Sequence, residues 1–348
     1  MKILFIFLSI LLAFFLGSWL LGWIFSAPVY RGPITDHFDG KKFMNPGGIK
    51  PGGFKEMMKW MRNRERGSWT EIRDAEYGPA PAARIDGDSI VVTFVNHSTF
   101  LIQTHGVNIL TDPVWSERAS PVSFAGPKRM RPPGIRFEDL PQIDMILLTH
   151  NHYDHLDIKT LKRLAELYEP VIYTSLGVGR YLEKKGIGNV SELDWWGELV
   201  TKWGLTLVCT PAQHFSGRGM FDRDKTLWSG FALKTAKGSI YYSGDTGYGE
   251  FFHQISERIG PVRLAFLAIG AYKPRWFMAP IHTSPEDAVN IHQILNSPKS
   301  IGMHFGTFPL ADDGQSDPAT DLKIALGDKG VPEEEFLVPE EGGQIVIK

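Results

Sequence analysis

The distribution of apolar and polar positions divides the chain into three parts. The first is an unbroken apolar run, ILFIFLSILLAFFLGSWLLGWIF from Ile3 to Phe25, which carries no charge over 23 residues. A helix of that length spans about 35 Å, enough for a hydrocarbon core of about 30 Å. A secretory signal has an apolar region of only about 7–15 residues and a small-x-small cleavage site. Here the run is longer and Ser26 and Ala27 lead into Pro28, so residues 1–25 are expected to be an uncleaved transmembrane anchor. Lys2 stands before the run and Arg31, Lys41 and Lys42 after it, which leans the rest of the chain towards the cytoplasmic side.

The second part, residues 26–85, is rich in glycine and proline, as in NPGGIKPGGF and YGPAPAARIDG, and predicts an irregular connector. One amphipathic helix is expected in FKEMMKWMRNRER (residues 54–66), where Phe54, Met57, Met58 and Met61 recur at helical spacing among Lys55, Lys59, Arg62, Arg64 and Arg66. Such a helix lies on a membrane surface or packs on its own domain.

The third part, residues 86–348, changes texture. SIVVTFVN, FLIQT, VNILTD and IDMILLT, then LTLVCT, GFALKT, SIYYSGD, LAFLAIG, SIGMHF and GQIVIK, are short apolar or alternating runs that read as strands. LDIKTLKRLAEL has helical periodicity with Asp157 as N-cap, and SPEDAVNIHQIL starts with Ser284 as N-cap, Pro285 in the first helical position and Asp287 in the third. Strands interleaved with a few helices predict an α/β domain of two sheets with helices outside them.

Charge and composition narrow the function. Lys plus Arg total 37 against 39 Asp plus Glu, a formal net charge of −2, so no broad basic surface gathers a polyanion and nucleic acid is not an expected partner. The single cysteine, Cys209, excludes an internal disulfide and reads as a buried hydrophobe. Trp195 and Trp196 read as core.

The candidate chemistry sits at strand ends. LLTHNHYDHLD places His150, His152, Asp154 and His155 directly after an apolar strand. Imidazole and carboxylate donors at that density suit zinc or a related divalent ion, with His150 and His152 on one side of an extended loop and Asp154 and His155 free to face a second ion. His214 in TPAQHFSGR, Asp245 in YYSGDTGYG and His304 in IGMHFGTF also follow apolar runs, so each is a candidate to project into a common cleft.

The order His-x-His-x-Asp-His, then His, Asp and His, resembles the metallo-β-lactamase superfamily. SERASP, GPKRMR, ELDWW, GDTGY, IGAYKPRWFM and HFGTF extend the likeness to the N-acyl-phosphatidylethanolamine-hydrolysing phospholipase D family. That resemblance implies a four-layer αββα metallo-β-lactamase-like sandwich with two Zn²⁺, one held by His150, His152 and His214, the other by Asp154, His155 and His304, with Asp245 bridging. It further implies a phosphodiesterase that releases N-acylethanolamine and phosphatidic acid, with Asp154 and Asp245 catalytic through the metals. His282, 22 positions before His304, would be a proton donor or phosphate contact, or else only a cap for the helix that follows. Asp112 in ILTDP is expected to orient a ligand histidine or to cap its own turn.

The expected partners are therefore a phospholipid and a membrane, with the oligomeric state left open. Lys128, Arg129, Arg131 and Arg136 in GPKRMRPPGIR either meet phosphate head groups or form a solvated loop. Hydrolysis of another phosphodiester or of a lactone, and non-catalytic zinc binding, are the alternative readings.

Overall fold

A computed structural model describes residues 2–348; Met1 of the expected anchor lies outside them. The first apolar run is a single helix, α1 (Lys2–Phe25). Its segment Phe5–Phe25 is almost wholly exposed and is long and apolar enough to cross a membrane. The connector's amphipathic segment forms α2 (Phe54–Arg62), shorter than the spacing predicted because Asn63 turns back to cap it, its side chain donating to the Lys59 carbonyl at 2.8 Å.

Strands β1 (Ile90–Asn96), β2 (Thr99–Thr104), β3 (Val107–Thr111), β4 (Met145–Leu148), β5 (Val171–Ser175) and β6 (Val190–Leu193) lie in that order in one sheet. A second sheet is built from β7 (Glu198–Val200), β8 (Thr206–Thr210), β9 (Gly230–Thr235), β10 (Gly238–Tyr242), β11 (Val262–Ala268), β12 (Ser300–Met303) and β13 (Phe336–Leu337), and β14 (Gln344–Ile347) returns to the outer edge of the first beside β1. Side chains on each strand alternate between two cores. On β11, Leu264, Phe266 and Ala268 point between the sheets while Ala265 and Leu267 point outward. Phe100 and Phe266 meet across the inter-sheet core with ring centroids 4.8 Å apart.

Each outer face is covered by helices. The helices α3 (Ile158–Tyr168) and α4 (Val178–Lys184) bury Leu161, Leu164, Val178 and Leu182 against the first sheet. On the second sheet α5 (Phe251–Ile259), the short α6 (Arg275–Met278), α7 (Pro285–Ile294) and α8 (Asp317–Lys329) follow in sequence, and α5, α7 and α8 supply its outer core. The architecture is thus helix, sheet, sheet, helix, as expected. Both predicted caps form: Asp157 accepts from the Lys159 amide, and Ser284 and Asp287 make a reciprocal capping box.

Strand direction positions the site. Antiparallel steps from β1 to β2 to β3, then a parallel step to β4, make β1, β3 and β4 point the same way. The same reasoning aligns β8, β10, β11 and β12. Loops leaving their carboxyl ends therefore gather along one rim.

The glycine- and proline-rich stretch is docked rather than free. Its Phe38 and Phe43 are buried with Leu227 and Trp228, and His37 stacks on Trp195 at 4.5 Å while its ring nitrogens contact Asp36 at 2.6 Å and Asp194 at 2.7 Å. Burial opposes charge on His37, but the two carboxylates outweigh it and raise its pKa above the ordinary value. A raised histidine pKa stabilises the docked state fully below the unfolded value of about 6.5 and ceases to do so as pH rises through the folded value. Hydrogen exchange across the segment around His37, corrected for intrinsic rates, should therefore be faster at about pH 8.5 than at about pH 6. His37→Gln should abolish the difference.

Candidate metal centre

Seven of the groups singled out from sequence meet at the rim. After β4, His150 Nε2 faces His152 Nδ1 at 2.9 Å, and His214 Nε2, from the loop after β8, faces the same His152 nitrogen at 3.2 Å. Asp245, three residues past β10, points Oδ2 at His155 Nε2 (3.1 Å), His304 Nε2 (3.0 Å) and His214 Nε2 (3.7 Å). Asp154 Oδ2 lies 3.4 Å from both His155 Nε2 and His304 Nε2. Donors from His150, His152 and His214 form one compact group, those of Asp154, His155 and His304 belong to another, and Asp245 reaches both His155 and His214.

Electrostatics distinguishes the two groups. Burial pushes His152 down to about 3 and His214 to about 4, and holds His150 well below the ordinary range, so all three offer neutral imidazole lone pairs. Burial also opposes charge on His304, yet Asp245 and Asp154 outweigh it and lift that pKa to about 9. His155 is likewise raised, against its burial, by Asp245, Asp154 and Asp112. The carboxylate side of the rim thus demands positive charge. Among the described residues, His155 Nε2, His304 Nε2 and Asp245 Oδ1 are buried without hydrogen-bond partners. Neutral nitrogens facing one another beside under-satisfied carboxylates fit a divalent cation, which replaces the protons that those groups would otherwise draw in.

The support beneath the donors is as specific as the donors. Asp112, fully buried, accepts from the Thr149 amide and hydroxyl at 2.8 Å each, from His155 Nδ1 at 2.8 Å and from the Tyr242 hydroxyl at 3.0 Å. It orients His155 and also ties down the loop that begins at Thr149. His282 presents its ring 5.0 Å from that of His214 and 5.1 Å from that of His304, and its Nδ1 is buried without a partner. Burial depresses its pKa well below the usual value, which favours the neutral imidazole. Its backbone carbonyl accepts from Arg275, while Ser284, not His282, caps α7.

Two residues of this site escaped sequence reasoning. His97, one residue beyond β1, places Nε2 3.1 Å from Asp154 Oδ2 and groups with Asp154, His155 and His304. The signal was present: His97 follows an apolar strand as His150 and His304 do. His97 and His304 both adopt left-handed backbone conformations, φ 48° and 63°, and the His304 amide donates to the His97 carbonyl at 2.8 Å, which joins the rims of the two sheets. Such backbone costs of order 1–3 kcal/mol per residue and persists where surrounding contacts enforce it. The second is Asn45 of the connector. Its side chain accepts from the His214 amide and donates to the His214 carbonyl, both at 2.8 Å, and also accepts from the Trp228 indole at 3.0 Å. No local pattern in NPGGIK announces that role.

The basic residues of GPKRMRPPGIR are engaged within the chain. Lys128 pairs with Glu71 at 2.7 Å, Arg131 with Glu341 at 2.6 Å and Arg136 with Asp139 at 2.8 Å. Arg129 is buried and donates to the Ser116 and Val114 carbonyls.

A profile of the β-lactamase superfamily domain matches residues 107–305. N-acyl-phosphatidylethanolamine-hydrolyzing phospholipase D 1 of Caenorhabditis elegans is 39% identical over 306 residues, covering 82% of this chain and 84% of that protein. This chain belongs to the β-lactamase superfamily and, within it, to the N-acyl-phosphatidylethanolamine-hydrolysing phospholipase D family. A mitochondrial member of that phospholipase D family from Saccharomyces cerevisiae is 34% identical over 281 residues, 78% of this chain and 59% of that one. The fold recurs in a possible metal-dependent hydrolase from Veillonella parvula, with TM-score 0.61 and 18% identity over 73% of this chain and 98% of that one. A phospholipase D family member with this rim is a metal-dependent hydrolase.

Asp112→Asn should lower metal affinity by about 10–100-fold, because it removes the carboxylate that orients His155; chelator competition measures this, and unchanged affinity would leave Asp112 a mere turn cap. Asn45→Ala leaves the His214 backbone and the Trp228 indole without their partner, and should lower unfolding free energy by about 1–3 kcal/mol in denaturant titration.

Proposed function

We propose that the protein is a membrane-tethered dizinc phosphodiesterase that hydrolyses N-acyl-phosphatidylethanolamine to N-acylethanolamine and phosphatidic acid. The observation that carries this reading is the cavity above the metal centre. It has a volume of about 620 Å³, and its lining combines Asp154, His214, Asp245, His282 and His304 with Phe54, Met57, Trp60, Phe277, Met278, Ile281 and Leu310. A polar, cation-seeking floor beneath apolar walls matches a phosphodiester that carries acyl chains. Met57 and Trp60 come from α2, whose Trp60 stacks on Phe277 at 5.1 Å, so the connector helix forms one wall.

The same helix turns its other side outward. Met58 and Met61 are 46% and 56% exposed, Phe54 at the cavity's edge is 73% exposed, and Lys55, Lys59 and Arg62 flank them. Both readings of this segment therefore coexist: one face packs on the domain, and the opposite face has the composition of a membrane-surface helix. With α1 as a single-pass anchor and the domain on the cytoplasmic side, the cavity mouth lies within reach of bilayer lipid.

In this reading His150, His152 and His214 would hold one Zn²⁺, Asp154, His155 and His304 the other, and Asp245 would serve both, with His97 contacting the Asp154 carboxylate oxygen that faces His155 and His304. Bound divalent ions supply Lewis acidity and an activated water near neutral pH. The chain's own residues do the rest. Asp112 and His97 keep the donors in register, the apolar walls exclude bulk water and seat the acyl chains, and the neutral His282 ring donates a hydrogen bond to a phosphoryl oxygen, where charge develops. Arg223, which also lines the cavity above Phe215, adds positive charge at its mouth.

The test is isotopic. Detergent-solubilised protein incubated with N-acyl-phosphatidylethanolamine in water enriched in oxygen-18 should place the label in phosphatidic acid, because water attacks phosphorus. Label in released fatty acid would mean ester or amide cleavage, and the absence of turnover on any phosphodiester would return the reading to another hydrolysis or to metal binding alone.

A further inference from the structure

A second cavity, of about 370 Å³, lies beside the metal centre and is lined by five cations, Arg118, Lys159, Lys162, Lys185 and Arg218, against two carboxylates, Glu117 and Asp157. The carboxylates are committed elsewhere. Glu117 contacts Lys128 at 3.3 Å, and Asp157 accepts from the Ser116 amide at 2.9 Å, the Ser116 hydroxyl at 2.9 Å and the Thr160 hydroxyl at 2.6 Å. Among the described residues, none of the five cations has a carboxylate within 4.0 Å, whereas Lys128, Arg131 and Arg136 close by are all paired. Like charges collected without counter-charges repel one another, and an anion relieves that repulsion.

Three features place this anion at a bilayer surface. Phe25, the last residue of α1, lines the cavity, so the cations stand where the apolar span ends, at head-group depth. The end of α1 is stitched to the neighbouring loop: the Ala27 amide donates to Asp222 at 2.7 Å and the Phe221 amide to Ser26 Oγ at 3.2 Å. Phe124, next in sequence to the lining residue Ser123, is 81% exposed, and Met220, two residues after the lining Arg218, is 66% exposed, as suits a surface that dips into lipid.

The cavity also adjoins the catalytic one. Tyr153, inside the His152–Asp154 segment, lines both, and the Arg218 guanidinium stacks 3.8 Å from its ring while donating to the Asn151 and Leu156 carbonyls at 2.7 and 3.0 Å. That leaves a rigid arginine between two aromatic rings, with Tyr181 on its other side at 5.1 Å.

We propose that the cavity formed by Arg118, Lys159, Lys162, Lys185 and Arg218 is a head-group site for an anionic glycerophospholipid, distinct from the metal centre. Occupied, it seats the domain on the bilayer with the catalytic mouth facing the lipid. The inference rests on α1 being a membrane helix but not on the identity of the hydrolysed substrate.

Native mass spectrometry of the full-length, metal-loaded protein in neutral detergent tests it with phosphatidylglycerol and phosphatidylcholine of matched chains. Both are phosphodiesters, so the metal centre does not separate them by bond type; the net charge of the head group does. Phosphatidylglycerol should be retained about tenfold more strongly or better, and Lys159→Gln/Lys162→Gln, which alters only exposed side chains, should lose that preference while its metal content and melting temperature stay unchanged. Equal retention of the two lipids, an undiminished preference in the variant, or displacement of phosphatidylglycerol by equimolar inorganic phosphate would overturn the proposal. Because no readout uses turnover, its failure would leave the phosphodiesterase reading untouched, and failure of that reading would leave this one standing.

Discussion

Everything at the rim answers to one constraint: His150, His155, His214, His304 and Asp245 are buried, with His152 and Asp154 half-buried beside them, where water shields them little. Desolvation alone would neutralise the carboxylates and strip the histidines of charge. Instead the carboxylates raise the pKa of His155 and His304 against their burial. Those same interactions make the site a receptor for a cation, since a divalent ion satisfies in one step what two protons satisfy only in part.

The two sheets are the means of enforcing that arrangement. Flexible loops would let such side chains turn to solvent, but each donor here leaves a buried strand within a few residues. The Asp112 network and the His304-to-His97 amide contact then bind the two rims together. The inter-sheet core of Phe94, Phe100, Phe231 and Phe266 determines how closely the rims approach, so packing well below the site sets the spacing between donors.

The amino-terminal quarter is part of that machinery. A stretch that reads as an irregular linker contributes Asn45 beneath His214 and α2 as a cavity wall. The end of α1 is hydrogen-bonded to the loop that follows His214. The apolar helix α1, the connector and His214 form one continuous chain of contacts, tighter than a flexible tether would make.

How much of this was legible in the chain itself follows from the range of the forces involved. The apolar run of α1, the alternation of β1 to β4 and β8 to β12, the caps at Asp157 and Ser284, and the density of donors from His150 to His155 are local patterns, set by backbone periodicity and side-chain chemistry. They determined the α/β class, the candidate ligands and, through their order, the family. The strands at Val171–Ser175 and Val190–Leu193 were not read, because few residues carry their pattern and parallel pairing with β4 completes it. His97 and Asn45 were missed for a related reason: their partners, Asp154 and His214, lie 57 and 169 positions away. Which cations are paired and which stand open was likewise decided only by tertiary structure, because Lys128 and Lys159 are alike as residues and differ only in what the fold brings within reach of their charge.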